Sequence, residues 1–234
     1  MEKVSIHNLN EVYVHIRCNE SISRELREWF TFEVPNAKFS PLYKQRLWDG
    51  RIRLYNIKDN TIYRGLVPYV AKFCEGRGYD WDYENEDFDE EFSLAEAKEF
   101  VQKLNPKHAP RDYQLDAFVH AIRTHRSLLL SPTASGKSLI IYLLARLWEH
   151  RGLKKGLIIV PTISLVEQLT NDFKDYSETN GWDASKHIHK IYQGQQKDTD
   201  KFLTISTWQS LYKMPGSYFA DFDFVIGDEA HQFK

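Results

Sequence analysis

Ser131-Pro132-Thr133-Ala134-Ser135-Gly136-Lys137-Ser138 stands between the apolar run Leu128 to Leu130 and a helical run from Leu139 to Trp148. An apolar strand, a loop ending in Gly-Lys-Ser and a helix, in that order, place backbone N–H groups where they can cradle phosphates. In this reading Thr133, Ala134, Ser135 and Gly136 form the cradle. Lys137 brings a point charge to the β and γ phosphates, and Ser138 offers a hydroxyl to magnesium. Ser131 occupies the position where the general pattern has glycine. Taken alone, the stretch has a plain alternative, a serine-rich turn with one exposed lysine.

The surroundings decide between these readings. Around the loop the chain alternates: a helix near 111–124, the strand RSLLLS, a helix near 137–150 and the strand GLIIV. SLVEQLTNDFKDY then reads as a helix, HIHKIY and FLTIST as strands, WQSLYK as a short helix and FDFVIG as a buried strand. Strands alternating with helices predict an α/β domain whose parallel sheet is covered on both faces. Ligands of such a sheet lie at the carboxyl ends of its strands. FDFVIG runs into Asp228-Glu229-Ala230-His231. Asp228 is suited to hold magnesium through its water shell, and Glu229 to orient or deprotonate a water attacking the γ-phosphate. A solvated strand end is the plain alternative, but a second acidic motif at the end of another strand points to a nucleotide site. Arg111-Asp112-Tyr113-Gln114 opens the helix ahead of the loop, making Arg111, Tyr113 and Gln114 candidate nucleotide contacts. The Gln114 amide is the group able to meet adenine's paired donor and acceptor edge.

Residues 1–72 carry 12 Lys or Arg against 8 Asp or Glu, whereas Asp80 to Glu91 holds eight acids in twelve positions. That shift predicts a boundary, with the acidic block as a linker or solvated loop. Three segments follow, namely a small α+β module over 1–90, a helix and linker over 91–110, and the α/β domain over 111–234. Ser93 and Glu96 have capping-box spacing, so a helix is expected from Ser93 to Leu104, ended by Asn105-Pro106. In the first module VYVHIRC alternates like a strand and SISRELREWF reads as a helix from Ser21 or Ser23. RIRLYNI and TIYRGLVPY read as a hairpin turned at Lys58-Asp59-Asn60.

RDYQ, SPTASGKS, VPTISLVEQ, STWQS and DEAH, in that order over Arg111 to His231, resemble the first motor lobe of superfamily-two helicases. The resemblance implies a RecA-like phosphate-loop fold. It assigns ATP binding to Gln114, Gly136, Lys137 and Ser138, magnesium to Ser138 and Asp228, and hydrolysis to Lys137, Asp228 and Glu229. Strand tracking falls to Pro161, Thr162, Gln168, Thr207 and Trp208, and His231 links the ATP site to the DNA-facing loops. Phosphate gripping without base reading suits a sequence-indifferent motor. The stretch from Ala37 to Tyr55 is similar to the segment preceding the motor in phage UvsW-type recombination helicases.

From Lys38 to Lys58 six basic residues and one acid are interleaved with aromatics. Lys44, Arg46, Arg51 and Arg53 are therefore candidate DNA contacts. The structural alternative is a core of Trp48, Tyr55 and Tyr63 with basic stems lying over it. The resemblance implies branched DNA as substrate, including forks, Holliday junctions, D-loops and RNA–DNA hybrids. It also implies a second lobe with an arginine finger, in the same chain or supplied by another. The sequence ends three residues after DEAH, so these 234 residues are expected to bind nucleotide and DNA but not to unwind alone. A restriction-type double-strand translocase and a non-hydrolysing DNA-binding accessory subunit are the rival expectations.

Composition limits the field less sharply. With 42% hydrophobic and 27% charged residues and a formal charge of -2, the chain is an ordinary globular sequence without global basicity, so any DNA surface must be local. Two cysteines make no disulfide framework, and no apolar run approaches a membrane span, which together predict a cytoplasmic protein, of the host cell if phage-encoded. His187 and His189 would share one strand face, yet a third metal ligand is not suggested by spacing.

Overall fold

The computed structural model describes residues 3–10, 12–84, 90–124, 126–132, 134–192 and 199–233, in two compact units, Met1–Asp87 and Phe88–Lys234. In the first unit Val4 and Ile6 alternate with Ser5 and His7, and Val14 and Ile16 with His15, so each strand buries one side and exposes the other. These strands, β1 (Lys3–Asn8) and β2 (Tyr13–Arg17), pair antiparallel. Helix α1 (Glu20–Trp29) follows, N-capped by the Asn19 side chain rather than by either expected serine. Next come β3 (Thr31–Glu33), α2 (Pro41–Lys44), β4 (Arg51–Arg53), β5 (Thr61–Tyr63), α3 (Val67–Arg77) and β6 (Asp80–Glu84).

The sheet order is β5-β2-β1-β6, with β6 parallel to β1, while β3 and β4 make a separate antiparallel ribbon. Val4, Ile6, Val14, Ile16 and Ile62 bury against Ile22, Leu26, Val70 and Phe73 of the helices.

Two expectations for this unit are corrected. RIRLYNI does not form a hairpin with TIYRGLVPY. Arg51–Arg53 pairs with β3, and the two segments share only the Asn56–Thr61 bridge. Pro68 lies in the first turn of α3, where its missing N–H costs nothing, so the apolar run is helical from Val67. The acidic block is likewise not all linker. Asp80, Asp82 and Glu84 lie on β6, tied down by Lys3 to Asp82, Ser5 to Asp82 and His7 to Glu84. Glu90, near the end of the block, pairs with Arg151, and residues 85–89 fall outside the described residues.

The second unit opens with α4 (Leu94–Leu104), whose N-cap is the predicted capping box of Ser93 and Glu96. It continues through α5 (Asp112–Thr124), α6 (Lys137–His150), β7 (Gly156–Val160), α7 (Ile163–Tyr176), α8 (Ala184–His187), β8 (Ile188–Ile191), β9 (Leu203–Thr207), α9 (Trp208–Leu211), α10 (Gly216–Phe219) and β10 (Phe224–Gly227). Four parallel strands are ordered β10-β7-β9-β8. Strand β9 is buried throughout, and Leu139 to Ala145 of α6 are all buried in the same core. Gly156 lets the Phe224 ring lie across the backbone, since a Cβ there would stand 2.0 Å from it.

Here too the apolar pattern overreached. RSLLLS is not a sheet strand: Leu128 and Leu130 are 74% and 88% exposed, and among the described residues none accepts them into a ladder. An apolar run becomes a strand only when a neighbour takes its hydrogen bonds. FDFVIG is a strand but, among the described residues, an edge, pairing with β7 alone and leaving Val225 exposed. His187 closes α8 instead of lying on a strand. It pairs with Glu149 and stacks on Trp182, and among the described residues no metal-holding cluster of His, Cys, Asp and Glu occurs.

Candidate nucleotide site

Gly136 has φ +77°, a left-handed conformation that leads the loop into α6 at Lys137. A side chain there would also collide, because a Cβ would lie 2.4 Å from Gln114 Nε2. Gln114 is buried at 5% exposure with every polar group engaged. Its Oε1 accepts from Arg111 N at 2.8 Å, and its Nε2 donates to Ser135 O at 2.9 Å and Gly136 O at 3.2 Å. Tyr113 adds a hydrogen bond from its hydroxyl to Ser135 O at 2.8 Å, and Arg111 reaches Tyr113 at 3.2 Å. The RDYQ segment therefore fixes the loop's backbone, and in this arrangement both Gln114 amide hydrogens are spent on carbonyls. Ala134 is also left-handed at φ +63°, and Ser131 and Ser135 share a hydroxyl hydrogen bond across the loop. Thr133 lies outside the described residues.

The acidic motif meets the loop directly. Lys137 Nζ is 2.7 Å from Glu229 Oε1, although the two residues belong to distant motifs. The Lys137 ammonium holds the Glu229 carboxyl below its ordinary range. Asp228 behaves oppositely. Burial, and then the adjacent Glu229 charge, raise its pKa, against the Glu229 N–H and Lys137, which favour its ionised form. Asp228 N donates to Ile159 O at 2.9 Å, which ties this end of β10 to β7. Glu229 takes φ +51°, and His231 Nδ1 approaches its other oxygen at 3.4 Å.

Ser138 and Asp228 offer hard oxygen donors of the kind magnesium prefers, so the residues present fit that ion. A cleft of about 610 Å³ beside the loop is lined by Tyr113, Ala117, Leu129, Ser131, Ala134 and Ile140, a volume suited to a small ligand.

The DNA-facing candidates occupy the neighbouring strand ends. Thr162 is exposed and N-caps α7, its hydroxyl accepting from Leu165 N at 3.3 Å, while Gln168 stands exposed further along the helix. Thr207 is buried and bonded to Ser210 Oγ at 2.9 Å, and Trp208 is half-buried at the start of α9. Gln209, which the sequence reading passed over, donates to Pro161 O at 3.3 Å and joins these two strand ends. Tyr176 was passed over as well, and its hydroxyl lies 2.7 Å from Ser138 Oγ. Gln209 lies within the STWQS motif without a role assigned to it there, whereas Tyr176 sits in no chemically suggestive run and only the fold brings it to Ser138.

In the first unit the four basic candidates divide into two pairs. Arg51 bonds Glu33 at 3.0 Å, and Arg53 reaches Asp49 with Nη1 at 3.2 Å, holding that carboxyl down at about 2. Lys44 and Arg46 are exposed and form no ion pair among the described residues. The aromatics divide too. Tyr55 is buried and bonded to Ser23, Trp48 is half-buried, and Tyr63 is exposed against Tyr13.

A parallel sheet carrying a Gly-Lys-Ser helix start against an Asp-Glu strand end defines a phosphate-loop nucleotide-binding domain of RecA-like type. Residues 107–234 match the family model described as the res subunit of type III restriction enzymes, and residues 3–84 match that of the N-terminal region of DNA helicase UvsW. The ATP-dependent DNA helicase uvsW of Enterobacteria phage T4 is 37% identical over 240 residues, spanning 98% of this chain and 46% of the relative. Two crystal structures of the bacteriophage T4 UvsW helicase superpose with TM-scores of 0.84 at 34% identity. They cover 99% and 98% of this chain, and 84% and 47% of theirs. The chain belongs to the UvsW-type family of RecA-like DEAH-box helicases, and spans about half the length of the curated relative it matches. Among the described residues no helix is long and apolar enough to cross a membrane.

Proposed function

We propose that this chain is the DNA-engaging module and first ATP-binding lobe of an ATP-dependent DNA helicase. Its substrate is branched DNA, including forks, Holliday junctions, D-loops and R-loops, in phage recombination and repair within the host cytoplasm. The carrying observation is the 2.7 Å approach of Lys137 to Glu229, which joins the phosphate loop to the acidic motif in one site. In this reading the module spans 1–90, a helix and linker 91–110, and the lobe 111–234. A match to the UvsW N-terminal model ahead of the lobe favours this helicase over a restriction-type translocase that shares the lobe alone.

The chain's own groups take distinct tasks. Loop N–H groups and the start of α6 receive the phosphates, Lys137 neutralises them, and Arg111, Tyr113 and Gln114 hold the loop in shape against the base side. Ser138 and Asp228 are the groups that hold magnesium, which when bound neutralises charge on the β and γ phosphates. Glu229 orients the attacking water and takes its proton, consistent with the ionised carboxyl that Lys137 maintains. His231 touches Glu229 and carries its position toward the DNA-facing loops. Pro161, Thr162, Gln168, Thr207 and Trp208 grip the strand, while Lys44, Arg46, Arg51 and Arg53 engage the branched duplex. A second lobe, in the same chain or another, completes the motor.

The test is ATP hydrolysis by protein carrying both lobes, with and without forked DNA, and Lys137→Ala as control. Turnover stimulated by forks and lost in Lys137→Ala is expected. Equal turnover in the variant would remove the phosphate-loop assignment.

A further inference from the structure

Tyr176, the last residue of α7, places its hydroxyl 2.7 Å from Ser138 Oγ at the start of α6. The residue that carries this hydroxyl is held from several directions. The Tyr176 ring meets Tyr142 at 5.5 Å and His108 edge-on at 5.8 Å. Its carbonyl accepts from Lys107 N at 3.0 Å, and the preceding Asp175 takes Lys107 Nζ at 2.5 Å and His108 Nε2 at 2.7 Å. Tyr142 is in turn fixed through its own hydroxyl by Ser177 at 3.0 Å, Arg146 at 3.1 Å and Asn180 at 2.9 Å. The phenol oxygen has lone pairs with which to accept a hydrogen bond from the serine hydroxyl.

A serine hydroxyl that gives a lone pair to a cation must send its proton to another acceptor. When that acceptor is fixed in place, the lone pairs are aimed before the metal arrives. We propose that Tyr176 is a positioning residue for the magnesium-bound nucleotide: it accepts the Ser138 hydroxyl proton and so directs the serine oxygen toward the ion. This inference rests on Ser138 being a magnesium ligand, as read above. Partners one step removed from a metal commonly change its affinity about 10- to 100-fold. The expected contribution lies only in the magnesium-dependent part of nucleotide binding.

The experiment measures binding of N-methylanthraniloyl-ATP to the 234-residue chain in excess EDTA and in excess magnesium, and takes the ratio of the two Kd values. Tyr176→Phe keeps the ring and removes the hydroxyl. It is expected to lower that ratio about 10-fold while leaving the affinity in EDTA unchanged. Ser138→Ala should lower the ratio at least as far, and adding Tyr176→Phe to it should lower it no further, because both act through one oxygen. If Ser138→Ala leaves the ratio intact, the reading of Ser138 fails and the proposal with it. If Ser138→Ala lowers the ratio but Tyr176→Phe leaves it unchanged or raises it, the magnesium site stands and the proposal is overturned. Should Tyr176→Phe melt at a lower temperature, Thr170→Val sets the baseline. It strips from α7 a buried hydroxyl that bonds Val166 O at 2.7 Å and belongs neither to Ser138 nor to the groups that hold Tyr176, and the proposal requires its ratio to equal that of the unaltered chain.

Discussion

Lys137 Nζ and Glu229 Oε1 are 2.7 Å apart, so the cation proposed to meet phosphate and the carboxylate proposed to orient water neutralise each other. Phosphate arriving at Lys137 must take the ammonium from Glu229. The pair is partly exposed, 27% for one side chain and 28% for the other, which limits the competition to less than a buried pair would impose. Glu229→Gln is therefore expected to bind ATP about 2- to 5-fold more tightly while losing turnover. Lys137→Ala is expected to lose nucleotide binding and keep its DNA affinity. Fluorescent-nucleotide titration and steady-state hydrolysis on the two variants check both outcomes, and weaker binding by Glu229→Gln would show that the carboxylate assists phosphate binding.

Asp228 carries the opposite perturbation, and its consequence is one of stability. Burial and the neighbouring Glu229 raise its pKa in the fold, so the ionised form is penalised there relative to the unfolded chain. Stability linked to this group is fully present below the ordinary carboxyl pKa and is lost as pH rises through the raised one. Asp228→Asn keeps the oxygen that accepts from Glu229 N at 3.0 Å and removes the charge. It is expected to melt higher than the unaltered chain at neutral pH, with the gain vanishing as pH falls below the ordinary carboxyl range. Magnesium-dependent nucleotide binding should be lost in the same variant. Melting curves from acid to neutral pH test this, and a variant no more stable at neutral pH would place the strain elsewhere.

Gly136 meets two demands at once, a left-handed φ of +77° and the Gln114 amide, which a Cβ would approach to 2.4 Å. Gly136→Ala therefore has to strain the backbone and displace a buried amide that fixes Ser135 and Gly136. The expected cost is about 1–3 kcal/mol, with phosphate binding lost along with the loop's shape. Gln114→Ala removes the collision together with the amide's hydrogen bonds, so Gly136→Ala is expected to cost less in a Gln114→Ala background, with the φ strain remaining. A cost of zero in that background would show that the collision alone mattered.

What was legible in the sequence follows from which interactions are local. Helix starts were readable where the cap is in the sequence itself, as at Ser93 and Glu96, and the phosphate loop was readable because Gly136, Lys137 and Ser138 are consecutive. Pairing was not. Arg51–Arg53 chose β3 over the nearer β5, and Asp80–Glu84 chose β1 at the far end of its unit, because strand partners are settled by the whole sheet. Leu128 and Leu130 carry the apolar character of a strand without a ladder, a difference that no local pattern encodes. Gln209 and Tyr176 were invisible for the same reason: their partners, Pro161 and Ser138, lie far away in the chain.

The basic residues from Lys44 to Arg53 fall into two roles that charge counting merges. Lys44 and Arg46 are exposed without a carboxylate partner among the described residues, whereas Arg51 is committed to Glu33 and Arg53 to Asp49. A cation already paired inside the protein releases fewer counterions from DNA than a free one, because it must give up its partner to meet phosphate. Lys44→Ala and Arg46→Ala are each expected to lower fork affinity and to reduce the slope of log affinity against log salt by about 1. Arg51→Ala and Arg53→Ala should change the slope less and the melting temperature of the unit more, since they free Glu33 or Asp49 on the ribbon. Fork binding across a salt series, with melting curves on the same four variants, resolves the division. Equal slope changes at all four positions would mean that the internal pairs open on DNA and that Arg51 and Arg53 contact phosphate as Lys44 and Arg46 do.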